Sequence, residues 1–339
     1  AVFYDGSGPR LVAGGSAVTP GGSVGTMLRS WDGAAWSEVG GGVGGPGSGS
    51  VSALRVHDDG GGEALFVGGR FTQAGGQPVS NVARWDGQAW STLGTGTDGG
   101  VRALCEASLG GQRVLVAGGD FTQAGGQPAG HVARWDGQAW QPLGPGLNGD
   151  VRALRVHDDG SGPVLVAGGS FFTVGGAGVN GVARWDGSSW SPLGAGLGWV
   201  YALEVFDLGG TGGPALIACG EFSGSGRVAA AGIASWDGAG WSPLVAGTGV
   251  TGSVEAFEIY DDGGGPALYA AGAFGAAGAA FAWPPGLARW TGTGWVAVPP
   301  PAWMCSYPTA LAVFDPGTGP GLYVASDDCL AMWDGSAWD

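Results

Sequence analysis

Seven tryptophan pairs constrain this chain more than anything else in it. Trp31, Trp85, Trp135, Trp185, Trp236, Trp290 and Trp333 are each followed five positions later by a second tryptophan: Trp36, Trp90, Trp140, Trp190, Trp241, Trp295 and Trp338. Neighbouring first members stand 54, 50, 50, 51, 54 and 43 residues apart. A period of that length is too long for leucine-rich or ankyrin units and accommodates four strands per copy. The phrase around the pair is nearly fixed, ARWDGQAW running from Ala83 to Trp90 and again from Ala133 to Trp140.

One copy, read in detail, supplies the four strands. Val151 to His157 (VRALRVH) is a β-branched run, DDGSGP is a turn, and VLVAGG from Val164 to Gly169 is a second apolar run ending in a glycine pair. After the longer loop SFFTVGGAGVN comes GVARW, then Asp186-Gly187, then WSPLG from Trp190. Asp-Gly suits a tight reversal, because glycine accepts a positive φ and aspartate can bond the turn backbone. The flanking tryptophans are expected to cover the hairpin and pack between copies. No stretch shows helical spacing. The expectation is therefore all-β: a seven-bladed β-propeller with four-stranded antiparallel blades, one domain over residues 1–339. Its approximate blades are 1–42, 43–96, 97–146, 147–196, 197–247, 248–300 and 301–339.

The order of apolar strand, turn, apolar strand ending in Gly-Gly, loop and tryptophan hairpin resembles the Kelch repeat of galactose-oxidase-like propellers. ALFVGG with ARWDGQAW, VLVAGG with ARWDGQAW, and VLVAGG with ARWDGSSW carry the resemblance, which spans nearly the whole chain. Tryptophan replaces the family's usual tyrosine, pointing to a bacterial Trp-Asp-Gly variant. Later copies put Cys219-Gly220, Ala271-Gly272 and Ala325-Ser326 at the Gly-Gly position. Scaffolds, sugar-binding proteins and a copper oxidase share that architecture, so the resemblance does not choose a function.

Charge excludes one large class of partner. The formal charge is −15 and all 13 basic residues are arginine, so a nucleic-acid backbone would meet a repulsive field. Hydrophobic residues reach 44% while charged ones are 12%, which favours a packed core over charge-driven disorder. No run approaches the ~18 apolar residues of a membrane helix, and the first residues lack the parts of a signal peptide. Membrane insertion is not expected, and an exported chain would be in processed form.

Catalytic signatures are sparse. A copper site needs converging histidines and tyrosines, but there are only His57, His131 and His157, two of them at the same place in separate copies. The Asp-Trp spacing differs from a sialidase Asp-box, and no G-x-S-x-G stands in a strand-turn-helix setting. Asp58-Asp59, Asp158-Asp159 and Asp261-Asp262, with Asp5, Asp207 and Asp315, could offer oxygens to calcium. Their glycine-rich context makes a turn role the stronger reading, and no other cofactor is implied.

Departures from the repeat point to binding. Trp199, Trp283 and Trp303 lie outside the paired pattern, and Tyr307 accompanies the last in VPPPAWMCSYPT. Strand order places all of them at loops on one face, where rigid aromatic planes suit sugar rings or a protein loop; the competing role is to plug gaps between unequal blades. In the first strands Arg102 and Arg152 match Tyr201 and Glu255, while Arg55 and Arg155 match Glu204 and Glu258. These are expected to neutralise one another around a channel, with a polar ligand there as the alternative. Cys305 precedes and Cys329 follows an antiparallel strand pair, so a disulfide between them is expected, and with it an oxidising compartment. Cys105 and Cys219 read as buried thiols. Both terminal copies look clipped, as in the ordered portion of a longer chain with further domains. The functional expectation is an exported or cell-surface module binding glycan or protein, an enzyme being disfavoured. A structural subunit of an extracellular assembly is the nearest rival, and a lyase, hydrolase or oxidase the third reading.

Overall fold

The computed structural model describes the chain outside residues 19–23, 47–48, 175, 210–212, 223, 226–227, 230–231, 245–249, 278–279, 282–285, 300, 302, 305 and 327–328. Among the described residues all regular structure is β. The third copy shows the pattern: Val101–Leu109, Gln112–Gly119, Val132–Trp135 and Trp140–Pro142 form one antiparallel sheet in chain order. The first, second, fourth and fifth copies give four-stranded sheets of the same order. In the sixth, Ala280–Phe281 pairs additionally with the second strand. The seventh comprises Pro308–Phe314, Gly321–Ser326 and Leu330–Trp333, with an isolated bridge from Trp333 to Trp338.

Burial follows strand position. Along Val101–Leu109 buried and half-buried residues alternate at first, whereas Val114–Gly119 is buried throughout. A strand covered on both faces loses the polar alternation of a half-exposed one. Each tryptophan pair closes its outer hairpin: Trp135 lies directly opposite Trp140, and the ring centroids are 5.6 Å apart at a 53° tilt.

The chain divides into two compact units. One comprises Ala1–Val156, Thr173–Ala177 and Trp185–Ser191; the other comprises His157–Phe172, Gly178–Arg184 and Pro192–Asp339. Within each, the glycine pairs explain how sheets approach. A Cβ on Gly68 would stand 2.6 Å from Val101 Cγ1 of the following sheet, and Gly118 abuts Val151 in the same way. The second glycine serves its own sheet: a Cβ on Gly69 or Gly119 would collide with the carbonyl of Ser50 or Gly100. Bare backbone is required at both places for different reasons. In the second unit Gly168 abuts Val200 in the same way, and in the following sheet Cys219, buried with Val254, replaces the first glycine.

The connection between second and third strands is more ordered than the loop expected from sequence. In the third copy Gln123–Ala124 pairs with Gln127–Pro128. Gly125 and Gly126 have φ of 61° and 77°, the two positive values that a two-residue hairpin turn needs. The same device recurs at Gln73–Ala74 and Gln77–Pro78, where Val43–Gly44 adds a third strand.

Candidate functional site

The loop end of the sheets gathers most residues singled out by sequence. First strands begin there and second strands leave there. Among the described residues five first strands carry a register shift at the equivalent place, between Val51 and Ala53, Val101 and Ala103, Val200 and Ala202, Val254 and Ala256, and Pro308 and Ala310. The extra residue is Ser52, Arg102, Tyr201, Glu255 or Thr309. Bulges of this kind re-aim a side chain relative to the regular pleat.

In the first unit these positions join a chain of alternating charges. Arg70 Nη2 donates to Asp120 Oδ2, which also accepts from Arg102 Nη2 at 3.1 Å. Arg102 Nε continues to Asp150 Oδ2 at 2.9 Å, and Arg152 Nε reaches the same oxygen at 3.3 Å. Asp120 Oδ1 also accepts the Gly100 amide at 2.6 Å, so the carboxylate is held by backbone as well as by cations. The carboxylates joined to Arg102 and Arg152 are thus Asp120 and Asp150, which sequence reading missed. Their signal was the aspartate directly after Gly-Gly and directly before a first-strand valine.

The remaining expected channel residues make these contacts among others. Arg55 and Arg155 both act electrostatically on Cys105; burial pushes the Cys105 thiol up, and the two guanidiniums oppose that shift. Glu204 Oε1 accepts the Val205 amide at 3.0 Å, Glu255 accepts from Ser253 Oγ at 2.6 Å, and Glu258 accepts the Ile259 amide at 3.3 Å.

Aromatic side chains emerge at the corresponding end in the second unit. Trp199 is 47% exposed, Trp303 52% and Tyr307 46%, while Trp283 lies outside the described residues. Phe172, which sequence reading passed over, is 53% exposed. Its signal was SFF where the two preceding copies have RFT and DFT: Phe71, Phe121 and Phe171 are buried, and the next position turns outward. Trp199 opens its strand directly opposite Glu221, and Tyr201 Oη donates to Glu221 Oε2 at 2.9 Å.

Residues 43–264, more than half of the chain, match the family described as Rax2 C-terminal beta propeller domain. The chain belongs to that family. No curated protein matches it.

In this propeller chain two of the acidic pairs and several tryptophans join neighbouring sheets. Asp58 Oδ1 accepts the Gly60 and Gly62 amides at 2.9 and 3.0 Å, and these donors hold its carboxyl below the ordinary value. Asp59 accepts the Gly61 amide of that turn at 3.4 Å, and it also pairs with Arg84 at 3.3 Å and accepts Trp135 Nε1 of the next blade at 3.2 Å. Gly137, at a φ of 95°, abuts the Asp59 carbonyl so closely that no side chain fits. Asp262 repeats the arrangement with Arg289 and Tyr269, and a Cβ on Gly335 would lie 2.9 Å from its carbonyl. Second tryptophans reach back one blade: Trp90, Trp140, Trp190, Trp241 and Trp338 donate to the carbonyls of Gly40, Leu93, Leu143, Leu193 and Pro299 at 2.7–3.0 Å. Between the second and third blades a cleft of about 470 Å³ is lined by Asp59, Arg84, Ser91, Trp135, Asp136 and Gln138.

The histidines are likewise embedded. His57 Nδ1 meets Glu106 Oε2 at 2.9 Å, and Arg113 grips both oxygens of Glu106 at 3.0 and 2.8 Å. The Arg113 bonds chiefly, with His57 helping, pull the Glu106 carboxyl down to about 2 against the effect of burial. Burial lowers His157, which Asp159 and Asp158 oppose, and His131 sits at a φ of 70° beside its loop. Cys329 is a free, half-buried thiol 3.0 Å from Ser326 Oγ; Cys305, its expected disulfide partner, lies outside the described residues.

Proposed function

We propose that the chain is a binding or scaffold module, a seven-bladed Kelch-like propeller that acts outside the cytoplasm on glycan or protein ligands. The observation that carries this reading is the exposure of Phe172, Trp199, Trp303 and Tyr307 at loop ends of a β framework. Large aromatic planes held by sheet backbone give contact area at small entropic cost. The recurring polar groups support a framework role, because each repeated Asp-Gly carboxylate is already engaged. Asp86, Asp136, Asp186, Asp237 and Asp334 each accept two amides of their own turn on one oxygen, which holds the hairpin turns. The lysine-free, weakly charged composition agrees with an exported protein.

The test is a glycan array on the purified chain, run with calcium and with chelator, alongside Trp199→Ala and Trp303→Ala. Specific signals that both substitutions weaken establish the loop end as a lectin-like surface. A blank array from folded protein removes the glycan arm, and chelator sensitivity would restore a role for calcium at the acidic turns. Self-association with no ligand would favour a structural subunit instead.

A further inference from the structure

We infer that the aromatic group around Trp199 takes a cation, the guanidinium of an arginine in a basic partner segment. This rests on the loop-end binding reading above and narrows its ligand.

Comparison of equivalent positions within the chain carries the argument. Asp120 follows Gly118-Gly119 and Glu221 follows Cys219-Gly220, so the two carboxylates occupy the same place in their sheets. At Asp120 the bulge residue is Arg102, and its guanidinium, with that of Arg70, neutralises the carboxylate. At Glu221 the bulge residue is Tyr201, which gives Oε2 a neutral hydroxyl donor at 2.9 Å. Among the described residues no cation pairs with Glu221 and nothing donates to its Oε1; Arg227 lies outside them. Among the described residues, the place that an arginine fills in the third sheet holds no cation in the fifth.

What surrounds this carboxylate suits an incoming guanidinium. Trp199 is the direct cross-strand partner of Glu221, so the two side chains share a face at a Cβ separation of about 5 Å. Phe222 adjoins Gly198, whose amide donates to the Asn180 carbonyl at 3.1 Å, and Val179 in turn donates to the Phe172 carbonyl at 3.0 Å. Backbone bonds thus tie the exposed Phe172 loop to the start of the Trp199 strand. A planar guanidinium can stack on an indole face while donating to a carboxylate, and tryptophan is the best aromatic partner for a cation. The chain's charge of −15 draws basic segments towards it.

The experiment titrates the whole chain with acetyl-(Arg-Gly)3-amide, following tryptophan fluorescence and calorimetry. A citrulline peptide of equal length and a neutral gluco-oligosaccharide are run beside it. The expected result is saturable arginine-peptide binding, at least tenfold tighter than citrulline. Trp199→Ala and Glu221→Gln should each weaken it about tenfold. Glu63→Gln, an exposed charge on another sheet, should change it less than twofold. Equal losses from Glu221→Gln and Glu63→Gln would mean diffuse attraction and overturn the proposal. So would arginine binding that Trp199→Phe, chosen to preserve folding, and Glu221→Gln both leave intact. Oligosaccharide binding lost in Trp199→Ala but kept in Glu221→Gln would overturn the cation while sparing the binding face. If neither ligand class reaches Trp199, the binding-face reading falls with it.

Discussion

A methyl group added at Gly68 would stand 2.6 Å from Val101 Cγ1, 3.1 Å from Val101 Cβ and 3.5 Å from Leu104 Cδ1. Val101 is fully buried, so it has no free volume into which to retreat. Overpacking of that severity costs about 1–3 kcal/mol, and Gly68→Ala should lose that much stability. Val101→Ala alone removes two buried methyls and leaves a small void, a loss of about 2 kcal/mol. The double variant is the decisive case. With Cγ1 gone, the nearest remaining atom is Val101 Cβ, and a shift of a few tenths of an ångström relieves it. The two costs should therefore fall short of additive by about 1 kcal/mol or more. The assay is guanidinium unfolding followed by tryptophan fluorescence, comparing midpoints at unchanged slope. Gly69→Ala is the internal control: its added methyl meets the Ser50 carbonyl of the backbone, so Val101→Ala should not rescue it. Additive costs in the Gly68 cycle, or a Gly68→Ala variant within 0.5 kcal/mol of the parent, would refute the account of the glycine pair.

Other outcomes follow from the same contacts. Asp59→Ala strands a half-buried Arg84 and the Trp135 indole N–H, so it should cost about 2–4 kcal/mol and alter tryptophan emission; a loss below half a kcal/mol would argue against the interblade coupling. Because the folded Glu106 pKa lies below its ordinary value, its pairing stabilises the fold above about pH 4.5 and that contribution disappears as pH falls through about 2. The stability gap between parent and Glu106→Gln should accordingly be constant at neutral pH and close in strong acid, as followed by urea unfolding across that range. Thiol labelling of native protein should reach Cys329 well before Cys105 and Cys219, whose thiols burial pushes up; early labelling of Cys219 would contradict its buried place in the core.

Local patterns made a large part of this architecture legible. The strand runs, the Asp-Gly hairpins and the cross-strand tryptophan pairs all depend on residues within a few positions of one another, where propensity and turn chemistry act directly. The short loop hairpins were equally local, and the Gly75-Gly76 and Gly125-Gly126 dipeptides, which take the positive φ values such a turn needs, were their signal in the sequence. Phe172 was similarly readable as a break in an aligned column.

Sequence alone established the repeat, the all-β class and which positions depart from the consensus, because these properties are periodic along the chain. Tertiary structure alone decided how the polar residues are spent. Asp59 reaches Trp135, His57 reaches Glu106, and Asp120 meets Arg70 and Arg102, and no local rule selects such partners. It also separated Asp120 from Glu221, one carboxylate neutralised by arginine and its counterpart bonded only to a neutral tyrosine hydroxyl among the described residues. The physical reason is that charge compensation depends on distance in space, and a repeat of about fifty residues brings together side chains from successive copies that sequence neighbours never meet.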